Sequence, residues 1–140
     1  MYILDTDHLS IADKDTIEAF NLGRRLASVS SDLVAVTIIT YEEQMRGRLA
    51  FSAKAKTGSA QVRAFDKLGR HLKRFCEIPI IAFDDQASAV FNRLRASGVR
   101  IGTPDLRIAS IALANEAILL TRNVRDFEKV SGLRFEDWTV

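Results

Sequence analysis

The chain has 140 residues, a length that fits one domain, which we predict to span residues 1–140. Its apolar fraction of 47% and charged fraction of 27% are ordinary for a globular domain. No apolar run approaches the ~20 residues of a membrane-spanning helix, and the N-terminus shows no secretory-signal pattern. The single cysteine, Cys76, excludes an intrachain disulfide, and we expect it to be a small core residue. These features predict a cytoplasmic protein without membrane contact.

The net charge of +2 conceals an uneven distribution, since acids dominate before residue 44 and bases dominate from 46 to 74. Only one acid, Asp66, lies within this second stretch, among Arg46, Arg48, Lys54, Lys56, Arg63, Lys67, Arg70, Lys73 and Arg74. A basic stretch attracts a polyanion, but it is equally typical of a solvated helix face. If the stretch contacts RNA, the first four of these bases are the candidates.

Apolar runs and helical periodicities alternate along the chain. Strands are predicted at residues 2–4, 33–37, 78–83, 117–121 and 134–136, and Pro79 favours an edge position for the third. Helices are predicted at about 9–28, 40–51, 56–76, 85–96 and 103–115. Asp85 and Thr103 are the expected N-caps of the last two helices, with Pro104 in the first turn. Apolar strands alternating with helices predict an α/β fold, a parallel sheet of four to five strands flanked by helices on both faces.

Four acids that are far apart in sequence follow strands or begin helices. Asp5 comes directly after the first strand, and Asp126 comes soon after the strand at 117–121. Glu43 lies in the early turns of the helix after the second strand, and Asp105 in the first turn of its own helix. Because ligands bind at the carboxyl ends of parallel strands, we expect these acids to share one edge of the sheet.

Converging carboxylates suit a hard divalent cation such as Mg²⁺, which prefers oxygen ligands. Without a cation the carboxylates would repel one another, and their pKa values would rise. Each acid alone also has an ordinary explanation, such as favourable interaction of Asp105 with the helix dipole. Position therefore makes the four acids candidates for a metal site but does not decide between these readings.

An ordered set of motifs resembles the PIN-domain ribonucleases, specifically the VapC toxins of bacterial type II toxin–antitoxin pairs. The opening Tyr2-Ile3-Leu4-Asp5-Thr6-Asp7 is followed by a segment from Thr40 through Glu43 to Gly47. Further matches are the segments Ile101–Ala109, Leu120–Phe127 and Gly132–Trp138. The resemblance spans the chain and is weakest between Glu43 and Asp105.

The resemblance implies a metal-dependent endoribonuclease that uses Mg²⁺, with Mn²⁺ as an alternative ion. Asp5, Glu43, Asp105 and Asp126 would be the catalytic, metal-binding acids. Four neighbours would support them: Thr6, Asp7, Thr121 and Asn123. The implied partners are the RNA substrate, a VapB-like antitoxin and a second copy of the chain in a homodimer.

Two departures from the family pattern leave questions open. Asp7 stands where asparagine is usual, so it is either an extra ligand or a polar turn residue. The glutamate is doubled as Glu42-Glu43, and the distance to Gly47 favours Glu43. Outside the motifs, we expect His8 to be a polar loop residue and His71 to be exposed or to face RNA. The aromatic residues Phe127, Phe135 and Trp138 are predicted to anchor the C-terminal segment in the core.

Two other functions fit part of the pattern. A haloacid-dehalogenase-like phosphatase would use Asp5 and Asp7 after the first strand and the pair Asp84-Asp85 after Phe83, but Leu9 stands where a hydroxyl is expected. An inactive protein that binds RNA or an antitoxin would not need all four acids.

Overall fold

The computed structural model describes residues 1–140 and contains five strands and seven helices. The strands are β1 Tyr2–Leu4, β2 Val34–Thr37, β3 Ile80–Ile81, β4 Ile118–Leu120 and β5 Arg134–Glu136. The helices are α1 Thr6–Ile11, α2 Ile17–Leu26, α3 Ile38–Ala53, α4 Gly58–Glu77, α5 Asp85–Ala96, α6 Thr103–Ala114 and α7 Val124–Phe127. None of the helices is both long enough and apolar enough to cross a membrane.

The strands form one parallel sheet in the order β3-β2-β1-β4-β5, which confirms the predicted fold class. β1 is central, so that Leu4 is level with Val36 of β2 and with Leu120 of β4. β3 lies at an edge, where Pro79, which has no N–H to donate, still accepts a hydrogen bond from Val36 through its carbonyl. The carboxyl ends of β1, β2 and β4 therefore open side by side.

Helices cover both faces of the sheet because successive strand side chains point in opposite directions. Ile3 and Leu119 belong to one buried cluster, which α5, α6 and Phe127 of α7 complete. Leu4 and Leu120 belong to the other, with residues of α1, α2 and α4 and with Trp138. Phe127 and Trp138 are buried and Phe135 packs against the first cluster, so the predicted aromatic anchors are confirmed.

The predicted helix at 9–28 is two helices. α1 ends at Ile11, and Thr16 begins the next helix because its hydroxyl accepts a hydrogen bond from the Ala19 amide. Two predicted caps are displaced by one residue: Asp84 rather than Asp85 caps α5, and Gly102 rather than Thr103 occupies the N-cap of α6. The short helix α7 has no counterpart among the predicted elements.

Two predictions for single residues are wrong, and one alternative of a third is excluded. Cys76 is exposed, because it lies on the solvent face of α4, next to the buried Phe75. His8 is not a loop residue but a completely buried part of α1. His71 is not exposed, since only 5% of it is accessible beside Tyr41 and Phe75, and the alternative that it faces RNA stays a prediction.

Candidate metal-dependent active site

The first of the four acids, Asp5, is held at the junction between β1 and α1. Its amide donates to the Leu120 carbonyl at 3.0 Å, which continues the pairing of β1 with β4. Its carboxylate accepts a hydrogen bond from the His8 amide at 2.7 Å and so caps α1. Because Asp5 is both the end of a strand and the start of a helix, its position is fixed by the backbone on either side.

The buried ring of His8 lies next to the Asp5 carboxylate. His8 Nδ1 lies 3.5 Å from Asp5 Oδ1, and His8 Nε2 accepts a hydrogen bond from the Trp138 amide at 3.3 Å. His8 Nε2 also lies 3.5 Å from Asp137 Oδ1, and Nδ1 makes no hydrogen bond. The ring thus lies between the Asp5 carboxylate and the C-terminal segment, a contact that the sequence pattern did not predict.

Threonine hydroxyls connect the start of α1 to α3. Thr6 donates to Glu43 Oε1 at 3.1 Å and lies 3.3 Å from the hydroxyl of Thr40. Thr40 is fully buried beside Thr37, the N-cap of α3. By contrast, the Glu42 side chain is 54% exposed and pairs with Arg46. The structure thus turns Glu43, and not Glu42, toward Thr6.

Asn123 links the remaining two acids. Its Nδ2 atom donates to Asp126 Oδ2 at 3.0 Å and lies 3.4 Å from Asp105 Oδ2. Its side-chain oxygen accepts from the Asp126 amide and caps α7. Thr121 does not contact the acids, but its hydroxyl accepts a hydrogen bond from the Asn123 amide at 3.0 Å. Asn123 is therefore the N-cap that begins α7.

The four carboxylates influence one another electrostatically. Burial, as the largest cause, together with the charges of Glu43, Asp5 and Asp126, raises the pKa of Asp105 to about 6. The Asn123 hydrogen bond has the opposite effect on Asp126, whose pKa is lowered with a contribution from Lys129. Asp105 is therefore an acid whose charged form is disfavoured in the folded protein.

The site opens into a polar cavity of about 390 Å³, which no hydrophobic side chain lines. The lining residues are Asp5, Thr6, Asp7, Ser10, Asp105 and Asn123. The side chain of Asp7 is 55% exposed and its carboxylate lies 3.9 Å from Arg122 Nε. Glu43 and Asp126 flank this cavity without lining it.

The donor set suits Mg²⁺ in chemistry, although the side chains do not form a closed cage. No three of the Asp, Glu, His and Cys side chains lie close enough together to bind one ion in their present conformations. Mg²⁺ does not need such a cage, because it keeps several waters and binds one or two carboxylates together with substrate phosphates. Burial and the neighbouring charges raise the pKa of Asp105, and a bound cation would offset both effects.

The four predicted RNA contacts do not form one surface. Arg48 faces a basic cavity between α3 and α4, whereas Arg46 lines an apolar groove on another side of α3. Lys54 and Lys56 are exposed at the turn between the two helices. Arg48 is the member of the four that lines this basic cavity.

Comparisons with known proteins agree with the motif resemblance, although no family model matches the chain. "Ribonuclease VapC1" of Haemophilus influenzae strain R2866 is 29% identical over 140 residues, covering 99% of this chain and 98% of that protein. The "tRNA(fMet)-specific endonuclease VapC" of Salmonella typhimurium strain LT2 is 35% identical over 65 residues, which are 44% of this chain and 49% of that protein. Among solved structures, VapBC2 from Rickettsia felis bound to a promoter DNA fragment matches with a TM-score of 0.70 and 28% identity, covering 98% of each chain.

Proposed function

We propose that this chain, which resembles the VapC ribonucleases over its whole length, is a Mg²⁺-dependent endoribonuclease and the toxin of a toxin–antitoxin pair. The observation that carries the proposal is the arrangement of the acids around one polar cavity. Asp5 and Asp105 line this cavity, Thr6 binds Glu43, and Asn123 lies within hydrogen-bond distance of both Asp105 and Asp126. Burial and the charges of the other three acids raise the pKa of Asp105, as expected for carboxylates that lie near one another without a cation.

Asp5, Glu43, Asp105 and Asp126 are the residues that would hold Mg²⁺, with Mn²⁺ as the alternative ion. When bound, the ion supplies an activated water and charge stabilisation for the cleavage of a phosphodiester. The ring of His8 and the backbone of α1 hold Asp5, while the Thr6 hydroxyl holds Glu43. Asn123 orients Asp105 and Asp126 through its amide group. The protein thus contributes a preorganised set of oxygen atoms.

The proposed partners follow from the relatives. Proteins similar to this chain are described as ribonucleases, and similar structures are described as VapBC, a family of toxin–antitoxin systems. We therefore propose an RNA substrate in the cytoplasm, a VapB-like antitoxin and a homodimer. Large apolar side chains on α2 and α4, among them Phe20 and Phe65 at 66% and 61% exposure, offer surface that such partners could cover.

The deciding experiment compares RNA ends in cells that express wild type, Asp105→Asn or Asp85→Asn. The control Asp85→Asn removes an exposed carboxylate at the start of α5, outside the site. We expect wild type and the control to produce the same new RNA ends and Asp105→Asn to reduce their yield by about a hundredfold or more. Identical ends in all three strains, or cleavage by purified protein that persists in EDTA, would refute the proposal.

The phosphatase alternative requires an acid pair near Asp5. Asp84 is instead the N-cap of α5, where its carboxylate accepts a hydrogen bond from the Ala87 amide at 2.9 Å. Neither Asp84 nor Asp85 lines the cavity at Asp5. Trapping a phosphorylated Asp5 would favour the phosphatase. RNA binding without cleavage in any divalent cation would favour the inactive binding protein.

A further inference from the structure

A second polar cavity, which we call the basic pocket, lies between α3, α4 and the end of α1. Its volume is about 630 Å³, and no hydrophobic residue lines it. The lining residues are Asp13, Gln44, Arg48, Lys67, Arg70, His71 and Arg74. Asp13 pairs with Arg74, and Arg70 pairs with Asp66 on the same helix, so Arg48 and Lys67 are the lining cations without a carboxylate partner.

His71 lies in this pocket with both ring nitrogens unsatisfied. Only 5% of the residue is exposed, and neither Nδ1 nor Nε2 has a hydrogen-bond partner. The rings of Tyr41 and Phe75 pack around the imidazole, at centroid distances of 6.1 and 4.7 Å. A buried polar group without a partner is costly, so this ring is arranged for a ligand that enters the pocket.

His71 is expected to act as a neutral hydrogen-bond donor next to the cations of the pocket. Burial lowers its pKa, and the charges of Arg48 and Arg74 lower it further. The ring is therefore neutral at pH 7 and presents one N–H, while the surrounding guanidinium groups supply the positive charge. An anion with several acceptor oxygens satisfies both kinds of donor at once.

The basic pocket is rigidly attached to the carboxylate site. Arg74 donates to the Leu9 carbonyl at 3.1 Å, which fixes α4 against α1. Gln44, a lining residue of the basic pocket, donates to Ser10 at 2.9 Å, and Ser10 lines the carboxylate cavity. The Ser10–Gln44 pair is thus a shared wall between a negative cavity and a positive one.

We infer that the basic pocket binds one backbone phosphate of the RNA substrate, while a neighbouring phosphodiester of the same strand lies at the carboxylates. This inference rests on the proposed ribonuclease function and names a phosphate subsite for it. A phosphate fits because the lining is polar throughout and includes the unpaired cations Arg48 and Lys67. The groove on another side of α3, lined by apolar residues such as Ile39 and Met45, has the composition expected for a protein partner instead.

The first experiment measures binding of a short fluorescent single-stranded oligoribonucleotide in EDTA, so that binding is observed without cleavage. The test variant is Arg48→Gln, because Arg48 lines the pocket without an ion-pair partner. The control is Lys73→Gln, which removes one exposed positive charge from α4 outside the pocket. We expect Arg48→Gln to weaken binding about tenfold and to reduce the slope of log K against log salt by about 0.7, the value for one phosphate contact on a single strand.

The second experiment detects the ligand at His71 directly, by adding inorganic phosphate and following the imidazole signals by NMR. The chain has two histidines, so a His71→Asn variant assigns the signals. We expect phosphate to shift the His71 signal saturably in wild type and in Lys73→Gln, with at least about fivefold weaker affinity in Arg48→Gln.

The outcomes separate the pocket from the ribonuclease function. Equal RNA affinities of the two variants together with an unmoved His71 signal would overturn the inference and leave the pocket as a surface for a protein. A shifted His71 signal with equal RNA affinities would also overturn it, because the site would then take free phosphate only. If wild type cleaves no RNA but the phosphate shift and the difference in RNA affinity remain, the cleavage function fails while the phosphate subsite stands.

Discussion

At the scale of the residue, Asp105 carries the cost of the gathered charges. Its pKa is raised to about 6 in the folded protein, first by burial and then by Glu43, Asp5 and Asp126. Because the pKa of this carboxyl group is higher in the folded than in the unfolded state, folding favours its protonated form. The contribution of the group to the free energy of unfolding is therefore largest below its unfolded pKa, near 3.9. That stability is lost as the pH rises through about 6.

We therefore predict that Asp105→Asn stabilises the metal-free protein at pH 7.5 by about 1–2 kcal/mol, after allowance for solvent screening. At pH 4 the difference from wild type should nearly vanish, because both side chains are then largely uncharged. Urea unfolding in EDTA at the two pH values measures the effect. A variant that is no more stable than wild type at pH 7.5 would contradict the repulsion.

Asn123 is a positioning residue for two acids at once. We predict that Asn123→Ala lowers RNA cleavage by about tenfold to a hundredfold and raises the Mg²⁺ concentration that gives half-maximal rate, because Asp105 and Asp126 lose their common donor. The matched control is Asn115→Ala, whose amide caps the end of α6 by donating to Ile111. Equal losses in both variants would show a general structural effect instead.

Position made the four acids candidates, because Asp5 directly follows β1, Asp105 lies in the first turn of α6, and the other two follow β2 and β4 within about two turns of helix. The motif resemblance, and not position alone, singled them out. The separation of Glu43 from Glu42 was predictable only through the motif, and the structure supplies the physical reason in the Thr6 contact. Burial of His8 and His71 was not predictable, because it depends on Trp138 and on Tyr41, which are distant in sequence.

At the scale of the element, α5 and α6 end in the same way with different residues. After α5, Gly98 has a φ of +86°, its amide donates to Arg95, and the Val99 amide donates to Leu94. After α6, Glu116 takes the equivalent position with a φ of 51°. This conformation suits glycine, whereas a side chain makes it unfavourable.

Substitutions at these two positions should have opposite signs. We predict that Glu116→Gly stabilises the protein by about 0.5–1 kcal/mol, since relief of the strained conformation outweighs the greater freedom of the unfolded chain. Gly98→Ala should destabilise it by about 1 kcal/mol. Chemical denaturation of both variants tests the pair, and a stabilising Gly98→Ala would be inconsistent with the positive φ.

Helix ends were predicted less well than helix interiors. The interiors of α3 to α6 follow from periodicity, but the choice between Asp84 and Asp85, or between Gly102 and Thr103, depends on which residue stays extended. That choice is made by the packing of the preceding loop and is not visible in the pattern of residue types. The short α7 was missed because four residues are too few to show a helical period.

At the scale of the whole molecule, a cation at the carboxylates should stabilise the folded state, since the unfolded chain has no such site. We predict that 10 mM Mg²⁺ raises the melting temperature of wild type by a few degrees, an estimate for about 1 kcal/mol of binding linkage. The rise should be absent in Asp105→Asn and retained in Asp85→Asn. An equal rise in all three proteins would indicate a general salt effect.

The parallel α/β fold was predictable because the strands are apolar throughout and alternate with helices. The order of the strands was not, since Tyr2–Leu4, Val34–Thr37 and Ile118–Leu120 have similar composition and nothing local marks β1 as central. The contact of Asn123 with both Asp105 and Asp126, and the shared cavity of Asp5 and Asp105, depend on that order and appear only in the assembled sheet.

The central position of β1 links completion of the proposed active site to the timing of synthesis. One flank of this strand remains open until residues 118–120 arrive, and Asp126 follows six residues later. A ribosome-bound or proteolytically shortened chain that stops before this point lacks both the β4 partner of Asp5 and the fourth acid. The four proposed metal-binding acids are therefore all present only after most of the chain has been translated.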